Sequence, residues 1–181
     1  MKSEVECFIS VDVEASGPIP GEYSMLAPGA CLVGRRDEIF YVELKPLNSN
    51  AVPDALKING IDMVHLERSG DRPEEAMRTC RDWLKKACRG AKSVFVGYNA
   101  RFDWSFVNWY MHRYLGENPF GFAPVDIKSF YMGETGCDWE KPKSSHVRPE
   151  YQPGQSGDHR ALTDERAQAD MFEMLRPVWP S

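Results

Sequence analysis

The chain has 181 residues, 42% of them hydrophobic and 27% charged, which suits a single globular domain (residues 1–181) with a core of its own. No run approaches the roughly 18 apolar residues of a membrane span, and the composition is far from that of a disordered chain. A formal net charge of −5 argues against wrapping duplex nucleic acid over the whole surface, while leaving room for a deep site that grips a few nucleotides with the help of cations.

The chain opens on a strand, Glu6 to Glu14, covered on both faces: Ile9, Val11 and Val13 point one way, Phe8 and Ser10 the other. Strands follow near Ala30 to Gly34 and Ile39 to Leu44, with Arg35 to Glu38 as a polar hairpin turn between them. Asp71-Arg72-Pro73-Glu74 starts a helix, and Ala76, Met77, Cys80, Trp83, Leu84, Ala87 and Cys88 give it one apolar face until Gly90 stops it. Ser93 to Gly97 is a short buried strand, Phe102 to Leu115 a buried helix, and Pro124 to Ile127 a short strand leading into a helical stretch at Lys128 to Met132. Gly133 to Gly157 is rich in Gly, Pro and Ser without periodicity, which predicts a functional or mobile loop. A helix from about Arg160 to Leu175 closes the chain. Three strands followed by alternating helix and strand predict an α/β fold with a mixed sheet.

The five cysteines, Cys7, Cys31, Cys80, Cys88 and Cys137, are odd in number and lack C-x-x-C spacing. They read as buried thiols of a reducing, cytoplasmic compartment rather than a disulfide framework or zinc ribbon. The acidic start, Met1 to Glu6, runs straight into a strand, against a secretory signal.

The residues that carry chemistry are acids. Asp12 and Glu14 leave the same face of a strand that is otherwise apolar. Asp103 stands in the first turn of a buried helix just beyond a strand, at the edge where open α/β sheets bind ligands. His159 and Asp164 are five positions apart, about 140° around a helix, so they meet only if His159 lies on the loop side of the helix start. Asp164 shares a side with Ala167, Met171 and Met174, hence a packed one. Taken singly, each has a bland reading: a strand end reaching water, a helix-start acid, a surface histidine.

Together, and in this order, they resemble the DEDDh (DnaQ-like) 3′→5′ exonuclease superfamily. Asp12-Val13-Glu14 matches its first motif, Asn99-Ala100-Arg101-Phe102-Asp103 its second, and His159 with Asp164 its third. Arg160 excludes the sister subgroup, which has a tyrosine there. Leu56-Lys57-Ile58-Asn59-Gly60-Ile61 and Val125-Asp126 extend the resemblance over nearly the whole chain. It implies a ribonuclease-H-like fold with a five-stranded mixed sheet of order 3-2-1-4-5, strand 2 antiparallel. It also implies that Asp12, Glu14, Asp103 and Asp164 are metal ligands and His159 the general base, acting on 3′ ends of single-stranded DNA or RNA to release nucleoside 5′-monophosphates.

Elementary electrostatics agrees with such a site. Two unit charges 4 Å apart at an effective dielectric of about 20 repel by ~4 kcal/mol, and hard divalent cations, two Mg²⁺ or Mn²⁺, relieve this with all-oxygen ligation. Such a pair activates water and stabilises the leaving oxygen, and histidine, with an ordinary pKa of ~6.5, takes up a proton near neutrality.

By the same resemblance, backbone at Ala15, Ser16 and Gly17 cradles the terminal nucleotide, Met25 or Leu26 wedges against its base, and Asn99 and Phe102 are candidate substrate contacts. Arg78, Arg81, Lys85, Lys86, Arg89 and Lys92 read as a solvated face rather than a phosphate track. Trp104, Trp109, Tyr110 and Tyr114 read as core, His65, His112 and His146 as structural or exposed, and Asp126 as structural. Two other readings stand beside the exonuclease: a catalytically silent nucleic-acid-binding or polymerase-associated module on the same fold, and a metal-dependent phosphohydrolase of small nucleotides. A homodimer or polymerase association is not legible in the sequence.

Overall fold

The computed structural model describes residues 5–142 and 161–176. Its sheet is built from β1 (Glu6–Ala15), β2 (Met25–Leu32), β3 (Arg35–Tyr41), β4 (Lys92–Gly97) and β5 (Val125–Asp126), in the order β3-β2-β1-β4-β5. β1 pairs antiparallel with β2 and parallel with β4, and β4 pairs parallel with β5. This is the ribonuclease-H-like topology expected. The helices are α1 (Pro53–Asn59), α2 (Met63–Ser69), α3 (Pro73–Cys88), α4 (Arg101–Leu115), α5 (Ile127–Thr135) and α6 (Ala161–Leu175).

The alternation along β1 divides the core in two. Ile9, Val11 and Val13 pack with Met77, Leu84, Phe106 and Tyr110 of α3 and α4. On the other face Phe8 packs with Met171, Phe172 and Leu175 of α6, the Phe8 and Phe172 rings lying 5.2 Å apart. Burying one such ring contributes ~1.5–3 kcal/mol, so α6 is held to the sheet mainly by this apolar seam. Asp12 and Glu14 follow Phe8 and Ser10 on the same face and emerge where the seam ends.

Several local expectations shift. The hairpin turn falls at Val33–Gly34, not Arg35–Glu38, because Leu32 already pairs with Arg35 and Gly34 supplies the φ of +80° that a tight turn needs. β3 accordingly starts earlier and ends at Tyr41. α5 continues through Gly133 and Glu134 to Thr135, where Gly136 caps it, so the proposed loop begins later; residues 143–157 of it lie outside the described residues. Met174 is exposed rather than packed beside Asp164. Cys7 and Cys88 form a disulfide with Cα atoms 5.5 Å apart, correcting the all-thiol expectation. Lys92 N–H donates to Val5 O, which brings the chain just past α3 against the start of β1. Cys31 and Cys80 are buried thiols.

Tyr110 is fully buried, and Trp104, Trp109 and Tyr114 pack against its core. Arg78 pairs with Glu74 and Arg81 with Asp82, as befits a solvated helix face. Among the described residues no helix is long and apolar enough to cross a membrane.

Candidate active site

Four carboxylates gather at the carboxyl end of the central strands. Asp12 and Glu14 come from β1. Asp103, in the first turn of α4, is buried and its Oδ1 accepts the Val13 N–H at 2.9 Å. A backbone donor between the two strand acids thus fixes the position of the helix acid. Asp164, in the first turn of α6, is buried as well, as its apolar neighbours Ala167 and Met171 predict.

Each acid lies in the field of the others. Burial, and then Asp12 and Asp164, push the Glu14 carboxyl up to about 8. Burial raises Asp103 well above the carboxylate range, Asp12 adds to this, the Val13 N–H opposes it, and Glu14 adds a little more. A site that penalises ionisation this strongly, with only oxygen donors, has the chemistry of a hard divalent-cation site. Among the described residues no three histidine, cysteine, aspartate or glutamate side chains are arranged to hold a metal ion as they stand, so binding would have to draw the four carboxylates together.

Two further polar residues of α6 enter here that the sequence did not single out. Gln168, one turn beyond Asp164, donates from Nε2 to Asp12 Oδ1 at 2.9 Å and accepts the Tyr98 N–H on Oε1 at 2.7 Å. It fastens Asp12 to the end of β4. Glu165 is fully buried and neither of its carboxyl oxygens has a hydrogen-bond partner on another residue. Burial pushes it up to about 8, against its own backbone amide and with help from Asp12. Asp126 is structural, as expected: its Oδ2 accepts the Ala100 N–H at 2.6 Å and its Oδ1 the Ser129 N–H at 2.7 Å.

The expected substrate contacts divide. Phe102 is 41% exposed, its ring 5.2 Å from that of Phe106, and stands open beside Asp103. Asn99 holds a φ of +54°, a left-handed conformation asparagine tolerates. Ala15 and Ser16 are buried; Ala15 O accepts from Asn59 Nδ2 at 3.2 Å, and Ser16 Oγ donates to Asn50 O at 2.8 Å. Gly17 is pressed against Tyr23, whose ring a Cβ would meet at 2.3 Å. Met25 and Leu26 are both fully buried. The Gly17-to-Gly21 excursion closes in a Pro20–Tyr23 bridge and returns Met25 directly to β2, paired with Ala15. His65 and His112 are exposed; His146 and His159 lie outside the described residues.

No family model matches the chain. A relative from Escherichia coli named 3′-5′ DNA exonuclease Cap18 is 43% identical over 176 residues, 97% of this chain and 94% of the relative. Ribonuclease T of Shewanella denitrificans is 24% identical over 196 residues, 94% of this chain and 80% of that protein. Among solved structures, the nuclease domain of 3′hExo, a DEDDh family member bound to rAMP, superposes with a TM-score of 0.74 at 16% identity, covering 98% of this chain and 94% of that domain.

Proposed function

Because this chain belongs to the DEDDh family of 3′→5′ exonucleases, we propose that it removes nucleotides from the 3′ end of single-stranded DNA, with Asp12, Glu14, Asp103 and Asp164 holding two Mg²⁺ or Mn²⁺ ions and His159 acting as general base. The observation that supports this reading best is the convergence of those four carboxylates, from β1, α4 and α6, on one end of the central strand. The choice of DNA rests on the name of the relative at 43% identity. When bound, the ions supply Lewis-acid charge to the scissile phosphate and lower the pKa of a water molecule.

The chain's own residues do the rest. Asp103, locked by the Val13 N–H, is the rigid ligand, and Glu14, half-buried, is the one with room to adjust. His159 takes the proton from the attacking water. Phe102, its ring exposed, stacks against the terminal base, while the backbone at Ala15 to Gly17 and the Asn99 turn line the nucleotide. A catalytically silent module would have no use for four carboxylates whose mutual repulsion costs stability.

The test is digestion of single-stranded DNA and RNA, labelled at either end, with Mg²⁺, Mn²⁺ or chelator. A 3′ label should leave at once as a nucleoside 5′-monophosphate, a 5′ label should give a descending ladder, DNA should be preferred, and chelator should stop both. Early loss of the 5′ label, internal fragments, or hydrolysis of nucleotide esters alone would overturn the reading.

Gln168 gives a second expectation. Gln168→Leu keeps the volume but frees Asp12, and should lower kcat/KM by ~10–100-fold while raising the Mn²⁺ concentration needed for half-maximal activity. A metal titration unchanged from wild type would remove Gln168 from any role in positioning Asp12.

A further inference from the structure

We propose that Lys128 and Trp139 form a subsite for the nucleic-acid strand on the β5 side of the acid cluster, Lys128 taking a backbone phosphate and Trp139 stacking on a base 5′ of the scissile bond. The inference rests on the exonuclease reading above and extends it to the upstream part of the substrate.

The two residues come together from either end of α5. Lys128 stands in its first turn, two residues after Asp126, whose carboxylate caps the helix and also accepts the Ala100 N–H at the foot of α4. Gly136 ends the helix with a φ of +63°, and the chain turns so that Lys128 Nζ lies 3.4 Å from the centre of the Trp139 ring. Beyond Trp139 the chain is fastened again: Tyr98 Oη donates to Pro142 O, and the Tyr98 N–H donates to Gln168, the residue that holds Asp12. One end of the segment is thus tied to the foot of α4, which carries Asp103, and the other through Tyr98 to Gln168 and Asp12; from these two ties we place Lys128 and Trp139 on the rim of the same site.

Their chemistry is that of a strand contact. Trp139 is 50% exposed, an unusual position for so large an apolar ring. Among the described residues no carboxylate pairs with Lys128, although Asp138 and Glu140 flank Trp139 in sequence. An ammonium without a counter-anion, held over a half-open indole, offers one partner for a phosphate and another for a base face. In a chain of net charge −5 it supplies a local cation beside a substrate that is a polyanion. A ring and a point charge read no base edges, so the subsite should grip any sequence. An acidic peptide would satisfy the lysine and leave the indole unused.

The test compares Trp139→Ala, Trp139→Phe and Lys128→Ala with wild type on three substrates: the p-nitrophenyl ester of thymidine 5′-monophosphate, a thymidine dinucleotide and a 5′-fluorescein dodecathymidylate. Trp139→Ala should raise KM for the 12-mer about tenfold and Trp139→Phe should restore most of it. Lys128→Ala should flatten the dependence of log KM on log salt by about 0.7. Losses on the ester should be at least about fivefold smaller. Equal losses on ester and 12-mer, or unchanged KM for the 12-mer in all three variants, would overturn the subsite. Should wild-type protein shorten no oligomer, the exonuclease reading fails separately. Fluorescence anisotropy of the 12-mer in Ca²⁺ then decides the subsite: equal affinity overturns it, and a tenfold loss in Trp139→Ala upholds it.

Discussion

Asp103→Asn is expected to lower 3′→5′ exonuclease turnover by roughly 10³-fold or more and, in chelator, to make the protein more stable than wild type. The substitution keeps the acceptor for the Val13 N–H and removes an ionisable carboxyl from a buried cluster. The sign follows from where the protons sit. In the unfolded chain these carboxyls ionise near 4, whereas in the fold burial and neighbouring acids raise Asp103 well above that range and Glu14 to about 8. Their stability is therefore full below the unfolded values and is lost as pH rises through the folded ones. Wild-type protein in chelator should melt at progressively lower temperature between pH 5 and 8.5, and the Asp103→Asn variant should recover ~3 °C at pH 8. Saturating Mg²⁺ should narrow the difference by stabilising wild type more. Calorimetry at three pH values with and without chelator checks this, and a variant less stable than wild type at pH 8 in chelator would contradict it.

His159→Ala is expected to cost ~10²–10⁴-fold in turnover and to leave Mn²⁺ affinity within about twofold of wild type, since the assigned ligands are all carboxylates. An ordinary histidine pKa of ~6.5 means that the wild-type rate should rise with pH across that value, and that this limb should vanish in the variant. Single-turnover rates on a 5′-labelled 12-mer, with Mn²⁺ binding measured by calorimetry, separate the two effects. Retention of turnover within tenfold, with the limb intact, would move the base elsewhere.

The order of the four acids was legible because each is a local anomaly: two charges ending an apolar strand, one charge opening a buried helix, one on the packed side of the last helix. A mixed α/β sheet followed from strand count and alternation, and its order 3-2-1-4-5 from the family resemblance. What stayed hidden depends on contacts distant in the chain. The stretch Glu165 to Asp170 is so polar that composition alone sends it to the surface, yet Glu165, Gln168 and Asp170 are all buried. Arg36 from β3 meets Asp170, and Gln168 finds Asp12 at a separation of 156 residues. α1 and α2 have seven residues each, too few for a helical period to show. The Cys7–Cys88 bridge spans 81 residues, and no local signal marks it. The burial of Met25 and Leu26 was hidden for a different reason: a proline-bearing excursion reads as a longer loop, while in space it closes on itself and feeds the next strand.

The amides around the acids have a consequence for how this enzyme handles negative charge. Those of Val13, Tyr98 and Ala100 all point inward, spent on Asp103, Gln168 and Asp126. Many phosphate-handling proteins cup the anion in a nest of main-chain donors, but here these three are committed to keeping the scaffold stiff. These three amides are not free to stabilise a pentacoordinate phosphorus. Activity should therefore depend on cations in an all-or-nothing way, with no slow residual hydrolysis once they are stripped away.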